Sequence, residues 1–97
     1  MNKSPMPAAI VWYRREDYPA ILAIMADRQN LSPTYDEWLR RAEQSVKDIE
    51  ARGYCAMKVH LDPAEFAEYC RAHMLHIDAA ARSQYVNSIA RKRMAGG

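Results

Sequence analysis

Residues Thr34–Gly53 read TYDEWLRRAEQSVKDIEARG, and every level of this stretch agrees on one structure. Tyr35, Trp38, Leu39, Ala42, Val46 and Ile49 recur at helical spacing and form a single apolar stripe. Thr34 with Glu37 three residues later fits a capping box, in which hydroxyl and carboxylate each accept a backbone N–H that the first turn leaves unpaired. Gly53 supplies an inexpensive stop. Asp36/Arg40, Glu37/Arg41, Glu43/Lys47 and Asp48/Arg52 each place an acid four residues before a base, the favourable order on an outward face. The stretch is a helical scaffold with a solvated back, and it carries no chemistry of its own.

On its N-terminal side, Ala8–Arg15 (AAIVWYRR) is led in by prolines at 5 and 7 and is rich in β-branched and aromatic residues, which predicts a strand. Ile10 and Trp12 would lie on one face, Val11 and Tyr13 on the other, as in a strand covered from both sides. Asp17 is the expected cap of a first helix with Pro19 in its opening turn and Tyr18, Ile21, Leu22 and Met25 on its buried side. That helix should end before Asn30, leaving Gln29–Pro33 as a turn.

Past Gly53, Cys55, Met57, Val59 and Leu61 alternate with Ala56, Lys58 and His60, the period of two that marks a strand with one buried face. Asp62, Pro63 and Glu65 open a third helix. Its inner stripe reads Phe66, Tyr69, Cys70, His73 and Met74. Asp78 should cap a fourth, with Ala81, Tyr85, Val86, Ile89 and Arg93 at helical spacing. Residues 1–7 and 94–97 are expected to be flexible.

The chain of 97 residues therefore reads as one domain of α+β or small α/β class in the order β-α-α-β-α-α. Two helices between the strands allow parallel pairing through a right-handed crossover. Two strands alone make a marginal sheet with open edges. A second copy would complete it to four strands, so a homodimer is the expected assembly.

Composition excludes more than it identifies. The glycines are Gly53, Gly96 and Gly97, which leaves no phosphate-cradling loop, dinucleotide fingerprint or nucleophile elbow. No cofactor is implied. No apolar run is long enough to span a bilayer, and the N-terminus lacks the pattern of an export signal, so the expectation is a cytoplasmic protein with no membrane contact and with Cys55 and Cys70 as buried, reduced thiols.

Three clusters could carry function. Cys55, His60, Asp62, Cys70, His73 and His76 gather every cysteine and histidine into one segment. A hydrolytic metal reading makes His60, Asp62 and His73 ligands, His76 a fourth ligand or proton shuttle, and Cys70 an alternative soft ligand, since a bound divalent ion lowers the pKa of water. Against it, Asp62 has a local task as a helix cap and His73 falls in a core stripe. The second cluster runs Trp12, Tyr13, Arg14, Arg15, Glu16, Asp17, and the third is Arg91-Lys92-Arg93. The net charge of +2 is unevenly spread: residues 1–15 and 79–97 contain bases and no acid. A nucleic-acid reading would use Arg14, Arg15, Arg82, Arg91, Lys92 and Arg93 on phosphates. The competing reading is a solvated surface, with bases placed at the negative end of a helix dipole.

The combination WYRREDYPAIL (12–22), TYDEWLRRAE (34–43), VHLDPAEFAEYC (59–70) and DAAARSQY (78–85) resembles, over nearly the whole chain, a family of small bacterial proteins with no assigned function. The resemblance implies a bacterial source and transfers no site residue. The leading expectation is a non-enzymatic interaction module, with nucleic-acid binding and metal-dependent hydrolysis as its alternatives.

Overall fold

The computed structural model describes residues 5–95. Its elements are β1 (Pro7–Trp12), α1 (Tyr18–Ile24), α2 (Tyr35–Ala51), β2 (Cys55–His60), α3 (Pro63–Ala72) and α4 (Ala79–Ala95), with short 3-10 turns at Arg15–Asp17 and Arg28–Asn30. The expected order holds: two parallel strands and four helices make one α+β unit among the described residues. Residues 1–4 and 96–97, on which part of the expected flexibility falls, lie outside the described residues, while Pro7 already belongs to β1 and α4 continues through Ala95.

The strands align Pro7 with Cys55 and run in register to Trp12 with His60. The Met6 carbonyl accepts from Cys55 N–H at 2.9 Å and the Trp12 carbonyl from Leu61 N–H at 3.0 Å. In a parallel ladder alternate residues of one strand serve its neighbour. Ala8 and Ile10 accordingly turn their backbone groups toward β2, and Pro7, Ala9 and Val11 turn theirs away from it.

Helices cover both faces. The side of Ala9, Val11, Met57 and Val59 faces α4, which runs antiparallel to β1: Ala79–Val86 lie by Val11 and Ala9, and Asn87–Met94 by Pro7 and Met57. The side of Trp12 and Lys58 faces α2. Trp38 of α2 meets Trp12 edge-on, with ring centroids 5.2 Å apart, and tilts against Tyr13 at 4.8 Å. Ile21, Val59, Leu61, Phe66 and Cys70 complete the fully buried centre.

The caps explain the helix limits. The Thr34 hydroxyl accepts from Glu37 N–H at 3.2 Å, although the reciprocal bond of a capping box is not made. Asp62 and Asp78 accept from Glu65 and Ala81 N–H groups as expected. At the end of α2, Gly53 takes φ +89°. Gly53 N–H reaches the Glu50 carbonyl and Tyr54 N–H the Ile49 carbonyl, the paired bonds of a Schellman stop.

Several expectations are corrected. The first strand ends at Trp12 rather than Arg15, because the chain coils into the Arg15–Asp17 turn; Asp17 makes no side-chain cap. None of the four i,i+4 pairs on α2 closes as an ion pair. Asp36 joins Arg15 instead, at 2.7 Å, and Asp48 accepts from Gln44. Cys55 is exposed, because it starts β2 beyond the cover of either helix. His73 and Met74 leave the inner stripe, since α3 stops at Ala72 and Met74 adopts φ 55°, which turns its side chain out to 93% exposure. Arg93 is exposed rather than core-facing.

Candidate functional site

The free side of β1 is the feature that the fold leaves unfinished. Ala9 N–H and the carbonyls of Ala9 and Val11 point away from β2 and have no partner among the described residues, nor has Val11 N–H. Pro7 faces the same way, at a position where its missing N–H costs the ladder nothing. Ala8, Ala9, Ile10 and Val11 are all half-buried. Ala9 and Val11 pack against the core, whereas Ala8 and Ile10 do not. Between this edge and α4 lies a hollow of about 300 Å³ lined by Ala9, Val11, Arg82, Ser83, Val86 and Asn87, with Ala79 at its end.

This open stretch is bounded at its carboxyl end. Tyr13 is 1% exposed, and burial pushes its phenol up to about 12. Beside it, Arg82 makes a two-pronged pair with Asp27 at 2.8 and 2.9 Å. Both side chains are nearly buried, and the guanidinium holds the Asp27 carboxyl below its ordinary range. A charge-assisted fork of this kind is a rigid clasp. It ties the α1–α2 connection to the start of α4, and it places Arg82, a candidate phosphate contact, in an internal pair.

The other basic candidates stand apart. Arg15 is engaged with Asp36 and lies over the Tyr35 ring at 4.6 Å, and Arg14 borders a polar hollow past the carboxyl ends of the strands. Arg91 and Lys92 are exposed toward the end of α4, and Arg93 donates to the Lys58 carbonyl at 3.2 Å. Because α4 runs antiparallel to β1, its basic end lies at the amino ends of the strands, about 17 Å of strand away from Arg14.

The metal candidates are likewise spread out. His60 and Asp62 border the hollow of about 200 Å³ that Arg14, Asp17 and Glu65 share. Asp62 caps the first turn of α3, and His73 follows its last. The ten residues between them span about 15 Å. His73 stacks on Tyr69 with its Nδ1 2.9 Å from the Tyr69 carbonyl. His76 is exposed beyond the helix, and Cys70 is buried beneath it, where desolvation raises its thiol. Among the described residues no three His, Cys, Asp or Glu side chains are grouped to hold a metal ion, and no helix is long and apolar enough to cross a membrane.

Sequence reasoning anticipated open edges but not that the one on β1 would carry no charge and, among the described residues, no partner, while Arg93 reaches the Lys58 carbonyl on the other. The signal was there in part: Pro7 and the uncharged AAIV run of β1 contrast with Lys58 and His60 in β2. The family model of a domain of unknown function (DUF8829) matches residues 11–95. No curated protein and no solved structure matches the chain.

Proposed function

The chain belongs to the DUF8829 family, a membership that brings no activity with it, and we propose from its geometry that it is a non-enzymatic, cytoplasmic, homodimeric interaction module. The observation that carries this is the free, uncharged edge of β1. A row of unpaired N–H and C=O groups on an apolar strand is a template for another strand. A second copy presents the same row, and antiparallel pairing of β1 with its symmetry mate turns two marginal two-stranded sheets into one of four strands. Half-exposed Ile10 would then be covered by the partner. The absence of enzymatic chemistry is supported by local duties: Asp62 caps α3, His73 is held by Tyr69, and Arg82 is occupied by Asp27.

Sedimentation velocity with light scattering at micromolar concentration tests the reading. The expected species is a dimer. A clean monomer, together with a crystal form in which no symmetric contact exceeds roughly 1,000 Å² of buried surface, would sink it.

A further inference from the structure

The groups of β1 that have no partner among the described residues fall in a fixed pattern. Ala8 and Ile10 give their N–H and C=O groups to β2, in step with the Met6 and Trp12 carbonyls that serve Cys55 and Leu61, so Pro7, Ala9 and Val11 direct theirs outward. Ala9 and Val11 each offer one donor and one acceptor. Pro7 offers a carbonyl alone.

Two copies of one strand that meet antiparallel about a twofold axis must set outward residues opposite outward residues, because only those carry groups free to bond. The axis then passes through a residue, never between two. An axis at Ala8 would turn the Ala9 and Val11 carbonyls toward Pro7 and Pro5, which have no N–H to give. An axis at Ala9 would set Val11 opposite Pro7 and leave both Val11 carbonyls covered and unpaired, a costly arrangement. One at Val11 would carry the pairing past the end of the strand, to Tyr13 and the Arg15–Asp17 turn. An axis at Ile10 sets each Ala9 opposite the other copy's Val11, and the four bonds that result use every outward group of both residues. Pro7 then meets Tyr13, whose carbonyl already accepts from the Tyr35 hydroxyl at 3.0 Å. Its missing N–H is not needed there.

The side chains suit this register. By alternation Ala8, Ile10 and Trp12 share the α2 face. Ile10, half-buried and outside the core cluster, would meet its own mate in a non-hydrogen-bonded pair, where side chains stand closest. Small Ala8 would fall opposite large Trp12. On the other face, the hollow beside Ala9 and Val11 leaves room for the same residues of the second copy, and α4 borders it with Ser83 and Asn87, both exposed and uncharged. Arg82 lines the hollow too, but its charge is met by Asp27.

We infer that β1 pairs antiparallel with β1 of a second copy about a twofold axis through Ile10, each Ala9 facing the other chain's Val11. This pairing rests on the homodimer proposed above and fixes its register. The occupant of the edge is a second copy because the strand's row of donors and acceptors is its own complement at this position, with no charge to repel its mate.

Single cysteines report the register, in a Cys55→Ser chain that keeps the buried Cys70. Opposed residues of a non-hydrogen-bonded pair have Cα atoms about 4.5 Å apart, within reach of a disulfide, whereas diagonal neighbours at about 7–8 Å are beyond it. With oxidised glutathione at micromolar protein, Ile10→Cys should pass into a disulfide-linked dimer on a non-reducing gel. Ala9→Cys and Val11→Cys, each diagonal to its own mate, should cross-link at least about tenfold more slowly. Thermal melts check that each variant stays folded.

Pro7→Ala gives a reading without an engineered thiol. Sedimentation should find the dimer constant within about threefold of wild type, whereas an axis at Ala9 would gain two bonds and tighten it by about tenfold or more. A dimer that cross-links fastest through Ala9→Cys or Val11→Cys, or that Pro7→Ala tightens, overturns the Ile10 axis and leaves the homodimer standing. A dimer that no cysteine of β1 cross-links overturns the strand junction. A clean monomer removes homodimer and register together, even where an extended peptide of unrelated sequence binds the edge.

Discussion

The two edges of this sheet differ in kind although they belong to strands of equal length. On β2 the outward groups are those of Ala56, Lys58 and His60, of which the Lys58 carbonyl accepts from Arg93; the strand carries a charge, the Lys58 ammonium lying 4.3 Å from the centre of the Trp12 ring, and α2 packs on its face. On β1 the outward groups are those of Pro7, Ala9 and Val11, with no charged side chain anywhere in the strand and an open hollow under α4. Lysine on an edge opposes pairing by another chain, because joining would bury its charge. The protein thus protects one edge with charge and leaves the other free, and the free one is where an assembly can grow without disturbing the monomer.

The largest effect should come from undoing the clasp that ends the open stretch. Asp27→Ala leaves the Arg82 guanidinium nearly buried and unpaired, which should cost about 3–5 kcal/mol in urea unfolding. Acid should do the same gradually. Asp27 has a depressed folded-state pKa, so the stability it contributes is complete above its unfolded value near 4 and disappears as pH falls through the lower folded value. Wild-type stability should therefore decline below about pH 4 more steeply than that of Asp27→Asn, as urea midpoints across pH 2–5 would show.

Next in size is a charge on the open edge. Ile10→Lys makes β1 resemble β2 by placing like charges close across the proposed junction. Sedimentation should show the dimer constant weakened at least about 100-fold, or roughly 2.7 kcal/mol. The melting temperature of the monomer should barely change, because Ile10 lies outside the core cluster. An unaltered dimer would place the interface elsewhere.

The converse experiment unguards β2. Lys58→Ile removes the edge charge and its contact with Trp12, so this variant should associate beyond the dimer, with scattering mass rising as concentration increases. The contact itself accounts for only about 0.5–1 kcal/mol of stability. A variant that stays dimeric would show that α2 and Arg93 guard this edge without the lysine.

The smallest effect tests how β2 is delivered to its guarded position. Gly53 turns the chain from α2 into β2 at φ +89°, and a Cβ added there meets nothing within 4 Å. Gly53→Ala should thus cost only the backbone strain, about 1 kcal/mol, and Gly53→Asn less, read from urea midpoints.

Much of this was legible before any coordinates. The α2 stripe, its Thr34 and Gly53 limits, the caps at Asp62 and Asp78 and the two strands all follow from local chemistry, since each cap bonds only three residues away. What escaped was less local. Asp36 was expected to meet Arg40 one turn along, but Arg15, 21 residues earlier, reaches it from the turn after β1. Arg82 read as a surface cation until the fold brought Asp27 to it from 55 residues away. His73 matched a core period that Met74 ends by taking a positive φ.

Periodicity and capping are properties of a few neighbouring residues, so the sequence by itself determined the elements, their order and the incompleteness of a two-stranded sheet. Only the tertiary structure decided that Arg93 would reach the Lys58 carbonyl, which bases would remain exposed and that His60 and His73 would lie a helix apart. Those outcomes depend on how elements distant in the chain cross one another. What reaches a given edge group depends on what packs beside it, and Lys58 carries no record of Arg93 in its own neighbours.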